Sequence, residues 1–434
     1  MLEMEQLSAV YVPALSLLLV VLVVLLYVRR KRSLQNEMPC PIYQRIVQHQ
    51  PTENATQVLI AGGAGFLGRH IVKQLIERKG CDVHVFDIEL PLEDLRDPLV
   101  ASYIKGDIRQ MSHVQEALTG IDTVFHTAGV FSHNVNVTDK LMWDVNVTGT
   151  ETIVKVCQEK SIRKLIFTST CIVTMGKDDA IAEGWDEKHP YPREPVNGYV
   201  KSKIAAEAIV LAANSVTPSG EGLATCVMRP GGMFGIGDNM LADMALQGRD
   251  NYYIGDGTAR FDLVHVNAVA YGHICAANHL SPVNDKIPIA AGKVYNLTAG
   301  KPVMYKEFFG GLCDGPKSFW GHAKPKSIPV WLASALATIN EVTYRSLGII
   351  LFAKSFTRLS VEMTQRSYWF NNERAMQDLG YTPLLKWRDH IDLLVQDYSF
   401  SCSTAPRLRR RSVPCLSSPH ISSRGSIADH RGAT

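Results

Sequence analysis

The chain has 434 residues, and its 45 Lys and Arg side chains nearly balance 42 Asp and Glu, leaving a formal net charge of +3. Such a balance requires no basic face for nucleic acid, so we expect no nucleic acid partner. The nine cysteines form no CxxC pair and no Cys/His group with zinc spacing. This pattern excludes a zinc ribbon and indicates reduced thiols rather than a disulfide framework.

The N-terminus reads as a membrane anchor. No charged residue occurs from Leu7 to Val28, and the basic run Arg29 to Arg32 follows at once. About 20 apolar residues span a bilayer as a helix, and positive charge stays on the cytosolic side. Residues 1–32 are therefore predicted to be a transmembrane anchor, and 33–56 a polar linker. A cleaved signal peptide is the alternative, although its basic residues usually precede a shorter apolar core.

Strand patterns then alternate with helical ones. Apolar runs typical of strands occur at 57–61, 82–87, 103–106, 122–126, 164–168 and 223–229, and helical patterns lie between them. Strands that alternate with helices predict a parallel sheet covered on both faces. The expected fold is therefore α/β, a Rossmann-type doubly wound parallel sheet.

A glycine-rich turn joins the first strand to the first helix. Gly62, Gly65 and Gly68 allow a tight turn, the approach of a pyrophosphate, and close packing of helix on strand. Asp87 ends the second strand, where a carboxylate binds the ribose hydroxyls and repels a 2′-phosphate. This order of features predicts a dinucleotide site that favours NAD over NADP. Asp107, just past the third strand, is either an adenine contact or an ordinary turn residue.

Tyr199 and Lys203 lie one helical turn apart and share a face. A tyrosine with a pKa near 10 is a poor base at neutral pH, but a nearby ammonium favours its phenolate. The pair can exchange a proton with a substrate hydroxyl while hydride moves to or from a nicotinamide. Three adjacent hydroxyls, Thr168 to Thr170, end the fifth strand, and spacing alone leaves open which one orients the reacting oxygen.

Together these motifs resemble the extended short-chain dehydrogenase/reductase family, in its 3β-hydroxysteroid dehydrogenase/isomerase branch. Within that branch the sequence looks most like the family 42E group, and sterol-4α-carboxylate 3-dehydrogenases are near relatives. The resemblance covers about residues 57–395. It rests on the segments AGGAGFLG (61–68), FHTAG (125–129), FTST (167–170), YVKSK (199–203), RPGGMFGIGD (229–238) and RFDLVHVNAVA (260–270).

The resemblance implies a role for each matching residue. Tyr199 would be the acid/base, Lys203 its partner and a ribose ligand, and Thr170 would stand where the family usually has Ser. Asn267 also departs from the pattern, because an Asp is frequent there. The cofactor would be lined by Gly62, Gly65, Phe66, Leu67, Gly68, Asp87, Asp107, Ile108 and Lys203.

The family organisation also sets expectations for the rest of the chain. Residues 57–229 would mainly bind NAD, and 230–395 would form a smaller substrate-binding region with returning Rossmann elements. The apolar segment Pro329 to Ala353 is interrupted by charge, so it reads as helices over the pocket or on the membrane, not as a second span. An ordinary buried helix pair is the alternative. Residues 400–434 are rich in Ser and Arg and are predicted to be a disordered basic tail.

The sequence therefore predicts an NAD-dependent oxidoreductase acting on the 3β-hydroxyl of a lipophilic steroid or sterol. We expect a single-pass protein of the endoplasmic reticulum whose catalytic domain faces the cytosol. A nucleotide-sugar epimerase with the same Tyr and Lys is one alternative, and a non-catalytic NAD-binding protein is another. The sequence leaves open the substrate, any decarboxylation or isomerisation, and whether the protein forms a homodimer.

Overall fold

The computed structural model describes residues 44–48, 52, 55–131, 135, 137–238, 252–314 and 326–383. The predicted anchor (1–32), the predicted tail (400–434) and most of the predicted linker lie outside these residues. The strands are β1 Gln44–Val47, β2 Thr56–Ala61, β3 Cys81–Asp87, β4 Ser102–Lys105, β5 Thr123–His126, β6 Lys164–Thr168, β7 Ile181–Trp185, β8 Ala224–Pro230, β9 Gly232–Phe234, β10 Tyr252–Ile254, β11 Arg260–Phe261, β12 Leu263–His265, β13 Lys293–Leu297, β14 Val303–Met304, β15 Lys326–Ile328 and β16 Ser367–Phe370. The α-helices are α1 Phe66–Arg78, α2 Met111–Ala117, α3 Asp139–Trp143, α4 Gly149–Glu159, α5 Gly198–Ala212, α6 Val266–Asn278, α7 Tyr305–Asp314, α8 Val330–Leu347, α9 Arg358–Met363 and α10 Glu373–Leu379.

The main sheet has eight strands in the order β1-β4-β3-β2-β5-β6-β8-β13. Every neighbouring pair is parallel except β1 with β4. Its central strands are continuous apolar runs because both faces are covered. One core cluster includes α1, α6 and α10, and the other includes α2, α4 and α5. The predicted Rossmann-type doubly wound sheet is confirmed.

The order of the strands reverses between β2 and β5. From β2 the chain moves outward to β3 and β4, and it then crosses back to β5 on the other side of β2. The crevice at the carboxyl ends of the strands beside this reversal is where open α/β sheets bind ligands. The glycine turn, which follows β2 directly, lies at this point.

One strand lies where the sequence predicted a linker. Strand β1 pairs antiparallel with β4, with Gln44 opposite Lys105. It is short and mostly exposed, and it covers the hydrogen-bonding edge that β4 would otherwise present. The segment has little apolar periodicity, because an edge strand needs few buried side chains, and this is why its sequence reads as a linker.

A second lobe stands over the carboxyl edge of the sheet. It contains a four-stranded sheet in the order β14-β11-β16-β7, and the pairs β10–β15 and β9–β12. These strands come from distant parts of the chain, and β7 precedes residue 230, where we expected the substrate-binding region to begin. Helix α6, strand β13 and helix α10 return to the main sheet and its core.

Helix α8 occupies most of the apolar segment 329–353. It runs from Val330 to Leu347 and ends at Gly348, which adopts the left-handed conformation of a helix C-cap. Among the residues that the structure describes, no helix combines the length and apolar character needed to cross a membrane.

Candidate active site

The glycine turn between β2 and α1 tolerates no side chain at two of its glycines. Gly62 has φ +83°, and a Cβ there would lie 2.6 Å from the backbone nitrogen of Ala128. A Cβ on Gly68 would lie 2.1 Å from the Gly62 oxygen. Gly65 is the N-cap of α1 and provides no side-chain hydrogen bond. The first backbone N–H groups of the helix, which have no partner within the helix, are therefore available to a ligand. This cradle fits a pyrophosphate group.

Asp87 lies against the same turn at the end of β3. Its Oδ2 accepts a hydrogen bond from the backbone nitrogen of Ala64 at 3.0 Å. Burial raises the pKa of this carboxyl, and hydrogen bonds from backbone N–H groups partly offset the shift. Its Oδ1 accepts from the Glu89 nitrogen at 3.4 Å. The Asp87 carboxylate thus fixes the turn at the carboxyl end of β3, where a ribose hydroxyl would bind.

Asp107 and Ile108 follow β4 at the same edge. The buried Asp107 carboxylate forms an ion pair with Arg109, whose Nη2 lies 2.6 Å from Oδ2. The Ile108 side chain is buried against Gly149, where a Cβ would come within 2.5 Å of it. The structure therefore places both residues at the carboxyl edge of the sheet. The Asp107 carboxylate is already paired with the Arg109 guanidinium. That they contact an adenine stays a prediction.

Tyr199 and Lys203 project from the first turns of α5. The side chain of Asn197 caps this helix by accepting a hydrogen bond from the Val200 nitrogen at 2.9 Å. Lys203 is buried; its Nζ donates to the Thr168 carbonyl at 2.7 Å and lies 4.1 Å from the centroid of the Phe167 ring. The helix therefore presents the predicted pair to the carboxyl end of β6.

The surroundings of this pair disfavour both the lysine ammonium and the tyrosine phenolate. Burial lowers the pKa of Lys203 to about 7, although the Glu207 carboxylate acts in the opposite direction. Burial, and then the charge of Glu207, raise the pKa of Tyr199 above its usual value. Positive charge brought close to Tyr199 by a ligand would therefore be needed to favour the phenolate at neutral pH.

The three hydroxyls after β6 have different surroundings. Thr168 Oγ1 is bonded to His273 Nε2 at 2.8 Å. Ser169 is buried, and its Oγ has no hydrogen-bond partner among the described residues. Thr170 is half-buried and begins a short 3₁₀ turn without capping it. The Thr168 hydroxyl is already hydrogen-bonded to His273, and the Ser169 hydroxyl is buried. Thr170 therefore carries the hydroxyl best placed to contact a ligand.

A buried charge cluster that the sequence analysis missed lies behind the pair. The Arg229 guanidinium binds the Glu207 carboxylate, with Nη2 2.7 Å from Oε2 and Nε 2.9 Å from Oε1. Tyr191 donates its hydroxyl to Glu207 Oε2 at 2.5 Å. Glu207 lies one turn after Lys203 on α5, and Arg229 lies near the end of the adjoining strand β8. A glutamate four residues after the lysine, on the same helix face, was the available signal.

Asn146 has a structural place beside the site. It is buried in a π-helical turn between α3 and α4. Its Oδ1 accepts from the Val130 nitrogen at 2.8 Å, and its Nδ2 donates to Ser202 Oγ at 3.0 Å. It therefore ties the loop after β5 to α5, which is a structural role.

Tyr199 packs against an apolar cluster to which both lobes contribute. Leu359 and Met363 of α9 belong to the same apolar cluster as this ring. The ring of Phe131 meets the Tyr199 ring edge to face, with ring centroids 4.7 Å apart. The candidate acid/base thus faces an apolar environment built by both lobes.

Comparison with known sequences identifies the family. A sequence model described as "3-beta hydroxysteroid dehydrogenase/isomerase family" matches residues 59–330. The chain belongs to this family. The predicted resemblance is thereby confirmed, and so is the assignment to the short-chain oxidoreductases of sterols and steroids.

Several curated relatives match most of the chain. A mouse "sterol-4-alpha-carboxylate 3-dehydrogenase, decarboxylating" is 32% identical over 350 residues, which are 79% of this chain and 91% of the relative. Human "short-chain dehydrogenase/reductase family 42E member 1" is 32% identical over 338 residues, covering 75% and 83% of the two chains.

Solved structures share the fold at lower sequence identity. A UDP-glucose 4-epimerase from Thermotoga maritima superposes with a TM-score of 0.61 at 18% identity, covering 80% of this chain and all of the other. A dTDP-glucose 4,6-dehydratase from Streptomyces venezuelae, solved with NAD, gives a TM-score of 0.60 at 20% identity, covering 80% and 98%. At these identities the likeness establishes the fold alone.

Proposed function

We propose that the protein oxidises the 3β-hydroxyl of a steroid or sterol. One observation carries the proposal. Tyr199 and Lys203 share a face of α5 and lie at the carboxyl end of β6, where Thr170 is half-buried and its neighbouring hydroxyls are bonded or enclosed. The apolar cluster around Tyr199 suits a lipophilic substrate rather than a sugar nucleotide, which would need polar partners.

The cofactor is NAD. Solved proteins of this fold carry it, including the dTDP-glucose 4,6-dehydratase above. In this chain, the backbone N–H groups at the start of α1 would hold the pyrophosphate, Asp87 would hold the adenosine ribose, and Lys203 the nicotinamide ribose. The Asp87 carboxylate would also repel the 2′-phosphate of NADP.

The chain's own residues move the proton. Tyr199 Oη takes the proton of the substrate hydroxyl as the carbon–hydrogen bond breaks, and Thr170 Oγ1 orients the reacting oxygen. NAD, when bound by the residues named above, would supply the hydride acceptor and a positive charge in the crevice. A positive charge would be needed here because burial and the charge of Glu207 raise the pKa of Tyr199, while burial lowers the pKa of Lys203. Apolar residues around Tyr199 exclude water from the transfer.

The test follows NADH absorbance with the full chain, NAD, and a panel of 3β-hydroxysteroids and 4-carboxysterols. We expect Tyr199→Phe to reduce turnover by about 10²- to 10⁴-fold, the usual contribution of a general acid/base. Tyr271→Phe is the matched control, because Tyr271 is on α6 and packs against the far side of the sheet. Released CO₂ and conjugated ketone would report decarboxylation and isomerisation separately.

Two outcomes would remove the proposal. NAD binding with turnover of UDP-sugars and of no sterol would point to the epimerase alternative. NAD binding with no turnover of any substrate would point to a non-catalytic protein.

We further propose that residues 1–32 anchor the chain in the endoplasmic reticulum, with the catalytic domain in the cytosol. The proposal is supported by the apolar run and the basic residues that follow it. In microsomes, the protein should resist extraction by alkaline carbonate, be digested by added protease, and carry no glycan at Asn54, Asn136, Asn146 or Asn296. Protection from protease would contradict the orientation.

A further inference from the structure

One face of the four-stranded sheet in the second lobe lies beside Tyr199. Tyr368 of β16 pairs with Phe261 of β11 and with Ala182 of β7. Side chains at paired positions point to the same face of a sheet, and this face is called the inner wall below. Tyr368 packs against the apolar cluster that contains Tyr199 and against the cluster that contains Phe261. The inner wall therefore runs from the candidate acid/base into the second lobe.

Two tyrosine hydroxyls meet on the inner wall. The ring of Tyr305, the first residue of α7, stacks on the ring of Phe261, with centroids 4.2 Å and planes 19° apart. The Tyr305 Oη lies 3.4 Å from the Tyr368 Oη. The rings of Phe234 and Phe308 pack in the same apolar cluster. Tyr305 and Tyr368, called the tyrosine pair below, thus carry two hydroxyls into aromatic surroundings.

The bond between the two hydroxyls leaves hydrogen-bonding capacity unused. An O–H···O bond in proteins is about 2.7–2.8 Å long, so a separation of 3.4 Å is a weak contact. Two phenols supply two O–H donors, and their mutual bond uses one of them. Among the described residues, the tyrosine pair has no further hydrogen-bond partner. Packing alone would be served by phenylalanine, because burying a hydroxyl without a partner costs free energy. The remaining donor therefore indicates a ligand oxygen.

The tyrosine pair is enclosed but still accessible. Tyr305 and Tyr368 are half-buried, as Tyr199 is. Burial nevertheless raises the pKa of each of these three phenols above its ordinary value. Side chains that have lost most of their water and still keep accessible surface line a cleft. Both hydroxyls of the pair stay protonated at neutral pH. They suit a hydroxyl or carbonyl oxygen rather than a carboxylate or phosphate, which would need a cation when buried.

We propose that the tyrosine pair binds a second oxygen of the substrate, remote from the hydroxyl that Tyr199 deprotonates. This inference rests on the proposed function, because Tyr199 contacts the reacting end. The substrate is then a largely apolar molecule that lies along the inner wall with an oxygen at each end. A steroid with a hydroxyl or ketone remote from C3 fits, whereas a hydrocarbon side chain would leave the pair unbonded. A site built to bond an oxygen rejects the analogue that lacks it.

Matched pairs of 3β-hydroxysteroids test this inference in the full chain. The two members of a pair differ only in one remote oxygen. The pairs carry a ketone on ring D, a ketone at the start of the side chain, or a hydroxyl at its end, each against the compound without that oxygen. The measured quantity is kcat/KM with NAD. In at least one pair, we expect the native protein to prefer the oxygenated member by about tenfold to 100-fold, as one well-placed hydrogen bond allows.

The double variant Tyr305→Phe/Tyr368→Phe removes both hydroxyls and keeps both rings. We expect its preference for the oxygenated member to fall to about twofold or less, because no donor remains for the remote oxygen. The two single variants, which change the packing less, should have intermediate preferences. Tyr271→Phe is the control; Tyr271 packs against the far side of the main sheet, so this variant should keep the native preference. Affinity for NAD, titrated by fluorescence, checks that each variant is folded.

Failure of this inference and failure of the proposed function give different results. Equal kcat/KM within every matched pair, or a preference that survives in the double variant, overturns the tyrosine pair as a binding site and leaves the oxidation in place. Absence of turnover with every steroid removes the proposed function instead. Equilibrium dialysis of the same steroids then decides the binding site. Tighter binding of an oxygenated steroid to the native protein than to the double variant supports it, and equal or absent binding overturns it.

Discussion

In the dinucleotide-binding half, charged side chains are buried, whereas in the second lobe apolar side chains are exposed. Lys203, Glu207 and Arg229 are each less than 5% exposed, while Trp331 is 72% exposed. Both arrangements oppose the ordinary partition of residues between core and surface. Such departures concentrate where a protein works on another molecule. On the proposed function, the first half keeps charge near the reacting proton, whereas the second leaves apolar side chains in contact with solvent.

The largest expected effect comes from breaking the buried ion pair. Arg229→Met leaves the fully buried Glu207 carboxylate without its cation, and we expect the free energy of unfolding to fall by about 3–5 kcal/mol. Lys177→Met is the control; its pair with Glu194 has a similar distance of 3.1 Å, but the two side chains are 60% and 73% exposed. We expect that change to be within about 1 kcal/mol.

Denaturant unfolding of the two variants measures the difference. Equal losses of unfolding free energy in the two variants would mean that burial does not strengthen the Glu207–Arg229 ion pair. The double variant Glu207→Gln/Arg229→Met should recover part of the loss, because it removes the uncompensated charge.

The buried pair of Glu207 and Arg229 is a feature that the sequence alone did not predict. The glycine turn, Asp87, Tyr199 and Lys203 were predictable because each motif is local: a few adjacent residues set a turn or share a helix face. The spacing of Glu207 from Lys203 was a local signal for the carboxylate, but its partner Arg229 lies on a different element, and no local spacing reveals the pair. The second lobe was predictable only in outline, because β7, β11, β14 and β16 are short and meet from positions up to 189 residues apart.

A smaller effect should come from Asp87, which belongs to the polar edge of the dinucleotide half. Asp87→Ser removes a carboxylate that accepts the Ala64 N–H and would accept a ribose hydroxyl. Losing a hydrogen bond to a charged group weakens binding by about 1.5–3 kcal/mol, or about tenfold to 100-fold in affinity. NADP, no longer repelled by the carboxylate, should bind better than it does to the native protein.

Titrating each dinucleotide into the full chain, with fluorescence as the signal, gives both affinities. Glu89→Ser is the control, since Glu89 lies two residues beyond Asp87. An unchanged ratio of NAD to NADP affinity in Asp87→Ser would show that this carboxylate does not face the ribose.

The buried histidines of the dinucleotide half predict a dependence of stability on pH. Burial lowers the pKa of His126 to about 3 and that of His273 to about 4, both from 6.5. The unfolded chain therefore binds more protons than the native protein as pH falls below 6.5, and stability is lost in that direction. Each histidine contributes up to about 1.4 kcal/mol per pH unit between 6.5 and its native pKa.

Thermal unfolding at pH 7 and pH 5 measures this loss, and the variant His273→Gln should reduce it. The Gln amide oxygen can still accept a hydrogen bond from Thr168 Oγ1, as His273 Nε2 does while its Nδ1 donates to the Val269 carbonyl, so the packing changes little while the titrating group is removed. A His273→Gln protein that loses as much stability between the two pH values as the native protein would assign the effect to other groups.

The smallest expected effect sharpens the contrast between the two regions. Ile339→Ser removes an apolar side chain that is 49% exposed, and we expect the unfolding free energy to change by no more than about 0.5 kcal/mol. Ile153→Ser, on α4 in the dinucleotide half, removes the same side chain where it is fully buried and should cost more than about 3 kcal/mol, because it leaves a cavity and an enclosed hydroxyl. Denaturant unfolding of both variants in detergent-solubilised full chain gives the comparison. A large loss at Ile339 would mean that its side chain is covered within the protein and that the outer side of α8 belongs to the core.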